Sequence, residues 1–412
     1  MTGLLTDLYE LTMAAAYFDA GRSAESATFE LSIRRLPKHR DYVIVAGLEQ
    51  ALEYLLNLRF TAPEIDYLRA LPQFTRVSPA FFDHLRDFRF TGDVHAAPEG
   101  TTLFAGEPIL TIHAPIIEAQ VPETYLLSTL TFQTLIATKA SLMVRAAAGR
   151  PVVEFGTRRA HTPEAGVLAA RAAYLAGCAG TSNTLAGFRF GIPVFGTSAH
   201  SWIMSYTTER EAFRQLQQIL GSHTVQLVDT YDPLEGTRLA AELGPPLWGI
   251  RLDSGDLAAL SKQARAILDA AGLRDAKIMA SGDLDETRIA QLVAAGAPID
   301  VFGVGTELAT SADAPTMGTT YKLVEIEGRP TAKWSEDKAS LPGVKQLFRL
   351  PDRDILALSG EVPPEGAAPL LHPVILKGQL VEAPRIRVEP VQPRPLEHSD
   401  ALKTLINQTR QK

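Results

Sequence analysis

At 412 residues, with 46% apolar side chains, the chain is long enough for two or three structural units with cores of ordinary size. Lys and Arg total 40 against 47 Asp and Glu, and the net charge of −7 argues against non-specific binding to nucleic acid or anionic membranes, leaving local basic clusters for anionic substrates. The single cysteine, Cys178, excludes an intramolecular disulfide framework and a Cys-rich metal site, so an intracellular protein is the simpler expectation.

Residues 4–20 read as a helix, with apolar side chains at Leu4, Leu8, Leu11, Ala15 and Phe18, stopped by Gly21. Asp7 and Glu10 interrupt this start, which is unlike a secretory signal. No stretch is long and apolar enough to span a bilayer. ATFELSIRRL reads as a strand and VIVAGLEQALEYLLNL as a helix, and short helices are expected near Pro63 and Pro79. The basic run from Arg34 to Arg40 reads as a solvated turn, or as a polyphosphate contact if a second subunit meets it. From Thr91 to Pro115 the pattern is short β segments punctuated by Gly and Pro.

Pro122 opens a long helix to about Ala148, after which strand and helix alternate from Pro151 to Val304. Alternation of this kind implies parallel strands with helical crossovers. The uneven spacing predicts an irregular, incomplete α/β barrel over 121–318. After Thr306, hairpins are expected at Glu327-Gly328 and Lys377-Gly378, then an extended Pro-rich stretch, APRIRVEPVQPRPLEHS, and a final helix capped by Asp400. These C-terminal β pieces, 319–412, are expected to complete an α+β domain begun by residues 1–120.

Seven apolar runs within the barrel region each end in a small-residue turn that carries polar groups: VVEF before Gly156, CAG before Thr181, PVF before Gly196, VQLV before Asp229, LWGI before Arg251, KIMA before Ser281 and IDVF before Gly303. Loops at the carboxyl ends of buried parallel strands converge on one mouth, and that is where such a barrel builds its site. The turns at Gly282-Asp283 and Gly303-Val304-Gly305-Thr306 suit a phosphate cradle, because glycine lets backbone N–H groups approach oxygen closely and a following helix adds a favourable dipole. Tight strand-end turns are the alternative.

Arg158 and Arg251 either bind a carboxylate or phosphate or form ion pairs with Glu154 or Asp253. Asp253, Asp256 and Asp283 suit water-mediated Mg2+, ribose hydroxyls or helix capping, with the cap favoured for Asp256. His200, in GTSAHSW, is a candidate phosphoryl acceptor, with Asp229 at the next strand end available to orient it. His84, His95, His113 and His223 read as structural, and Cys178 as a small buried hydrophobe.

Taken in order, TDLYELTMAAAYF, VAGLEQALEYL, EFGTRRAH, GTSNTLAG, GTSAHSW, LVDTYD, IRLDSGDL, SGDLDE, FGVGTEL and TYKLVE resemble nicotinate phosphoribosyltransferase from about Thr6 to Arg349. The resemblance implies a barrel of the type II phosphoribosyltransferase kind and a homodimer with shared active sites. The implied reaction joins nicotinate to 5-phosphoribosyl 1-diphosphate, with ATP hydrolysed alongside and Mg2+ neutralising the diphosphate; it would place the protein in NAD salvage and among the ligases. It assigns a transient phosphohistidine to His200, an orienting role to Asp229, and a pyridine sandwich to Phe155 and Tyr9, the latter from the partner subunit. Arg158, Arg251 and Asp253 match the base and ribosyl pocket, and Gly282, Asp283, Gly303, Gly305 and Thr306 the 5-phosphate region.

Three rivals stand beside this reading. A nicotinamide phosphoribosyltransferase shares the motif order, but an amide is best met by an aspartate, and the polar positions of GTSNTLAG are Ser182 and Asn183, with no acid. Ser182 therefore joins the expected nicotinate pocket. A quinolinate phosphoribosyltransferase needs more basic residues for its diacid and has no use for a phosphorylated histidine. A non-catalytic sensor of NAD precursors has no use for His200 and both phosphate turns together.

Overall fold

The computed structural model describes residues 2–335, 339–381 and 392–411. Two units form, residues 1–135 with 316–412 and residues 136–315. The first boundary falls inside the Glu123–Ala146 helix and not at residue 120, because the early turns of this helix carry Leu126 and Leu130 into the first unit's apolar core. The second boundary falls before Thr316, ahead of the Gly318–Ile326 strand and three residues earlier than the expected 319.

In the first unit, strands from both ends of the chain share one antiparallel sheet. Its order is Arg329–Pro330, Gly318–Ile326, Ser26–Arg35, Pro108–Pro115, Asp93–Ala96, His372–Leu376 and Gln379–Leu380. Residues Ala27 to Leu31 are buried without alternation, so this central strand is covered on both faces. Both expected hairpins form, at Glu327-Gly328 and Lys377-Gly378. A four-stranded sheet pairs Lys345–Arg349 with Asp354–Leu358, where Arg349 donates two bonds to the Asp354 carboxylate (3.0 and 2.6 Å).

Several local readings change. Val43–Ile44 is a short strand paired with Thr102–Leu103, and the helix starts only at Leu48, after Gly47 in a left-handed conformation (φ 98°). Arg40 is buried and donates to the Leu135 carbonyl (3.1 Å), so the basic run is not wholly solvated. The last helix, Asp400–Arg410, is capped by the Ser399 hydroxyl and not by Asp400. Of the expected Pro-rich extended stretch, residues 383–391 lie outside the described residues.

The second unit is built on six parallel strands in the order Gly180–Thr181, Val152–Glu154, Val301–Val304, Lys277–Ala280, Gly249–Leu252 and Val225–Leu227. Each is only two to four residues long, and Val301–Val304 and Val152–Glu154 are buried throughout, as strands sandwiched between layers are. Six strands form where seven were expected. PVF contributes only an isolated bridge between Val194 and Thr181, because Pro193 has no N–H to donate and the chain leaves after one pair of bonds. The sheet has no pairing between Val225–Leu227 and the Val194 bridge, which makes it an incomplete barrel. Among the described residues, no helix is long and apolar enough to cross a membrane.

Candidate active site

The carboxyl ends of these six strands bring the second unit's predicted site residues together. At the Ser281-Gly282-Asp283 turn, Gly282 has φ 91°, and a Cβ there would lie 1.9 Å from the Asp253 carbonyl oxygen. Glycine alone permits that approach, which locks the turn onto the end of the neighbouring Gly249–Leu252 strand. At Gly303 a Cβ would lie 2.7 Å from the Phe155 ring, so the ring rests on bare backbone. Gly282, Asp283, Gly303, Gly305 and Thr306 all line one cleft.

Helix dipoles contribute less to this cleft than expected. The helix after Gly282 starts at Glu286, and its first turn is already capped by the Asp285 carboxylate. The one after Gly305 is a single turn, Thr306–Ala309. The cleft therefore presents turn backbone, not the N-termini of long helices.

A second cavity is lined by Ser182, Phe195, Thr197 and His200, and it shares Phe155, Arg158, Arg251 and Asp253 with the first. His200 and the glycine turns thus open onto adjoining space. Arg251 is the central post: it donates to Ser281 Oγ (2.8 Å), Thr197 Oγ1 (2.9 Å) and Asp253 Oδ1 (2.6 Å), and its guanidinium lies over the Phe155 ring. Burial alone raises the Asp253 carboxyl, but the Arg251 charge, bonds from Ser281 and Arg251, and nearby His200 outweigh it and hold it below the usual range.

His200 is held differently from the expectation. Its Nδ1 pairs with Thr230 Oγ1 (3.1 Å), and its Nε2 faces Asp253 Oδ2 at 3.8 Å. Asp229 makes no hydrogen bond or ion pair with the ring. Its Oδ2 accepts from the Asp253 backbone N–H (2.7 Å) and Ser254 Oγ (2.8 Å), so it braces the Asp253 loop, while Oδ1 is buried without a partner. Two adjacent residues at one strand end point to different neighbours, and the one facing His200 is Thr230.

Arg158 is exposed and has no ion pair with a described residue, whereas Arg251 has the Asp253 pair. Glu154 is fully buried, accepts from Thr181 Oγ1 (2.5 Å) and the Gly156 N–H, and has its carboxyl raised by burial. Asn183 is turned inward to cap the Thr184–Phe190 helix, leaving Ser182 as the polar group of that pair that lines the cavity. Asp256 is a helix cap, accepting from the Ala258 and Ala259 N–H groups. Cys178 is buried, and burial pushes its thiol up. Tyr9 belongs to the first unit, half exposed on the Leu8–Asp19 helix; burial and the Glu123 and Glu10 carboxylates raise its hydroxyl.

Residues 4–131 match the nicotinate phosphoribosyltransferase N-terminal domain, and residues 151–346 match the nicotinate phosphoribosyltransferase family. The chain belongs to the nicotinate phosphoribosyltransferase family. It is 47% identical over 389 residues to a nicotinate phosphoribosyltransferase of Mycobacterium tuberculosis, covering 92% of this chain and 82% of that one. Its fold is similar to human nicotinic acid phosphoribosyltransferase, with a TM-score of 0.86 and 28% identity, over 98% of this chain and 99% of that one. A nicotinate-nucleotide pyrophosphorylase from Pyrococcus furiosus is also similar, with a TM-score of 0.77 and 26% identity, over 99% and 95% of the two chains.

For this family member, the sequence placed Thr197, Thr230, Ser281 and Arg159 in strand-end turns without showing that the three hydroxyls hold Arg251 and His200 or that Arg159 lines the cleft, and it missed Glu307 as a cleft-lining residue. All five stand within three residues of a recognised strand-end position. That position was the available signal; which way each side chain turns is not written in the spacing.

Proposed function

We propose that the chain joins nicotinate to 5-phosphoribosyl 1-diphosphate, giving nicotinate mononucleotide and diphosphate, with ATP hydrolysed to ADP and phosphate through a phosphohistidine at His200. The reading is carried by one observation: the His200 cavity and the glycine-turn cleft share Phe155, Arg158, Arg251 and Asp253. A pyridine acid beside a phosphorylated sugar needs that adjacency.

The pyridine nitrogen attacks the anomeric carbon as the bond to diphosphate breaks, and the electron pair leaves with the diphosphate. Such a step passes through an oxocarbenium-like carbon, so alignment and charge do most of the catalysis. Phe155, seated on Gly303, supports one face of the pyridine ring. Arg158 and Arg251 supply positive charge for the nicotinate carboxylate, the cavity-lining group at 182 is a serine and not an acid, and Gly282, Asp283, Gly303, Gly305 and Thr306 receive the 5-phosphate. Thr230 holds His200 Nδ1 and leaves Nε2 to accept the phosphoryl group of ATP.

Mg2+ would accompany the phosphates of both substrates and neutralise the diphosphate. Among the described residues, no group of three or more His, Cys, Asp or Glu side chains is arranged to hold a metal, and no step is assigned to a protein-bound ion. A cytoplasmic homodimer, with Tyr9 of a second copy completing the pyridine sandwich, belongs to the same reading. Mixing Tyr9→Ala and His200→Ala subunits should then restore activity, and no rescue after verified exchange counts against a shared site. The reaction itself is tested by product formation from nicotinate and from nicotinamide, with and without ATP. Equal turnover of the amide, or no response to ATP, would overturn the corresponding part.

A further inference from the structure

The strand Val152–Glu154 runs through Phe155 and Gly156 into one tight turn, Thr157–Arg159, closed by Arg159 and Ala160 N–H groups on the Gly156 carbonyl (2.8 and 3.0 Å). A Cβ on Gly156 would lie 2.3 Å from Ala309 Cβ and 2.8 Å from the Gly305 carbonyl oxygen. The absent side chain lets the arginine turn sit directly against the Gly305 turn, and Phe155 N–H donates to Val304 O (2.6 Å) beside it.

Two exposed arginines leave this turn, and neither guanidinium has a hydrogen bond or ion pair with a described residue. Asp283 and Glu307 line the same cleft, yet neither pairs with them. Their positions differ: Arg158 lines both cavities, whereas Arg159 lines only the one with the glycine turns. Turn N–H groups bring partial charges, but a phosphate dianion asks for a full counter-charge, best given by a guanidinium fork. Arg251 is already engaged by Asp253, Ser281 and Thr197.

We infer that Arg159 is the guanidinium that closes the 5-phosphate end of the cavity, which leaves its neighbour Arg158 for the carboxylate of the pyridine acid. This division of labour rests on the reaction proposed above. Adjacent residues on a tight turn point in different directions, so one turn can serve two anions at opposite ends of the joined substrates.

The test compares Arg159→Ala, Arg159→Lys and Arg158→Ala in the full-length protein, by steady-state kinetics and by calorimetric titration with ribose 5-phosphate. Arg159→Ala should raise the KM for phosphoribosyl diphosphate and the Kd for ribose 5-phosphate about tenfold or more, with the nicotinate KM within about twofold. Arg159→Lys should recover part of that loss, and Arg158→Ala should show the opposite pattern. An unchanged Kd for ribose 5-phosphate in Arg159→Ala, or a rise in nicotinate KM in its place, would overturn the assignment. Should Arg159→Ala melt below the wild type, Arg159→Gln provides the same comparison with the main-chain turn intact. A wild type that binds ribose 5-phosphate in an Arg159-dependent way but never consumes nicotinate would sink the reaction and uphold the phosphate subsite.

Discussion

The two halves of the cavity in the second unit are held by different means. Around Gly282 and Gly303 the walls are main chain, fixed by glycines whose missing side chains let neighbouring strand ends touch. Around His200 the parts are held by side-chain hydroxyls: Thr230 on the imidazole and Thr197 on Arg251. Among the described residues, the main chain of the segment before His200 meets the sheet at the Val194 bridge and its flanking bonds. A main-chain wall suits a group that must be held identically each time, while a side-chain frame can change its bonds, as the proposed phosphorylation of the histidine would require.

Substitutions at five positions would break or sharpen this contrast. His200→Ala should reduce ATP hydrolysis by more than about a hundredfold and abolish ATP stimulation, while some ATP-independent transfer remains. ATPase activity equal to wild type would remove His200 from its role and the contrast with it.

Gly282→Ala attacks the other half. Forcing a side chain onto φ 91° against the Asp253 carbonyl should cost roughly 2 to 4 kcal/mol in urea unfolding, with a loss of phosphoribosyl diphosphate affinity. Wild-type stability would show that the cradle is not rigid main chain.

Arg251→Ala removes the post between the halves and should raise the nicotinate KM about tenfold. It also has a pH signature. Because the folded Asp253 carboxyl sits below its ordinary value, its pairing stabilises the protein above the usual carboxylate range and is lost as pH falls through the depressed value. The stability gap between wild type and variant should therefore narrow between pH 7 and pH 3. A gap that stays constant would show that Arg251 stabilises by packing and not by charge.

The smallest effect separates two neighbours. Thr230→Val should slow ATP-coupled turnover about fivefold while sparing ATP-independent transfer, and Thr230→Ser should restore it. Asp229→Asn should instead disturb both activities, since Asp229 braces the loop carrying Asp253. If Asp229→Asn alone abolishes coupling and Thr230→Val does nothing, the orienting role returns to Asp229.

Much of this was legible before any coordinates. Strand-end turns are written as apolar runs followed by small and polar residues, so Arg158, His200, Arg251, Asp253 and the glycines near 282 and 303 could be gathered to one mouth from spacing alone, whereas Phe155 entered only through the family resemblance. Where the reading slipped, the cause was local competition. PVF has strand composition, but Pro193 allows it only a bridge. Asp400 and Ser399 are both good caps, and backbone direction selected the serine.

The chain's order of apolar runs, glycines and charged turns determined the parallel unit, the location of its chemistry and the return of the C-terminal β segments, because these follow from periodicity and from residues only certain backbones accept. Strand order, the gap in the barrel, and the choice of Thr230 over Asp229 for His200 were decided by tertiary structure. They depend on which strand ends become neighbours and which way a side chain turns at a crowded turn, and both are set by packing between segments tens of residues apart.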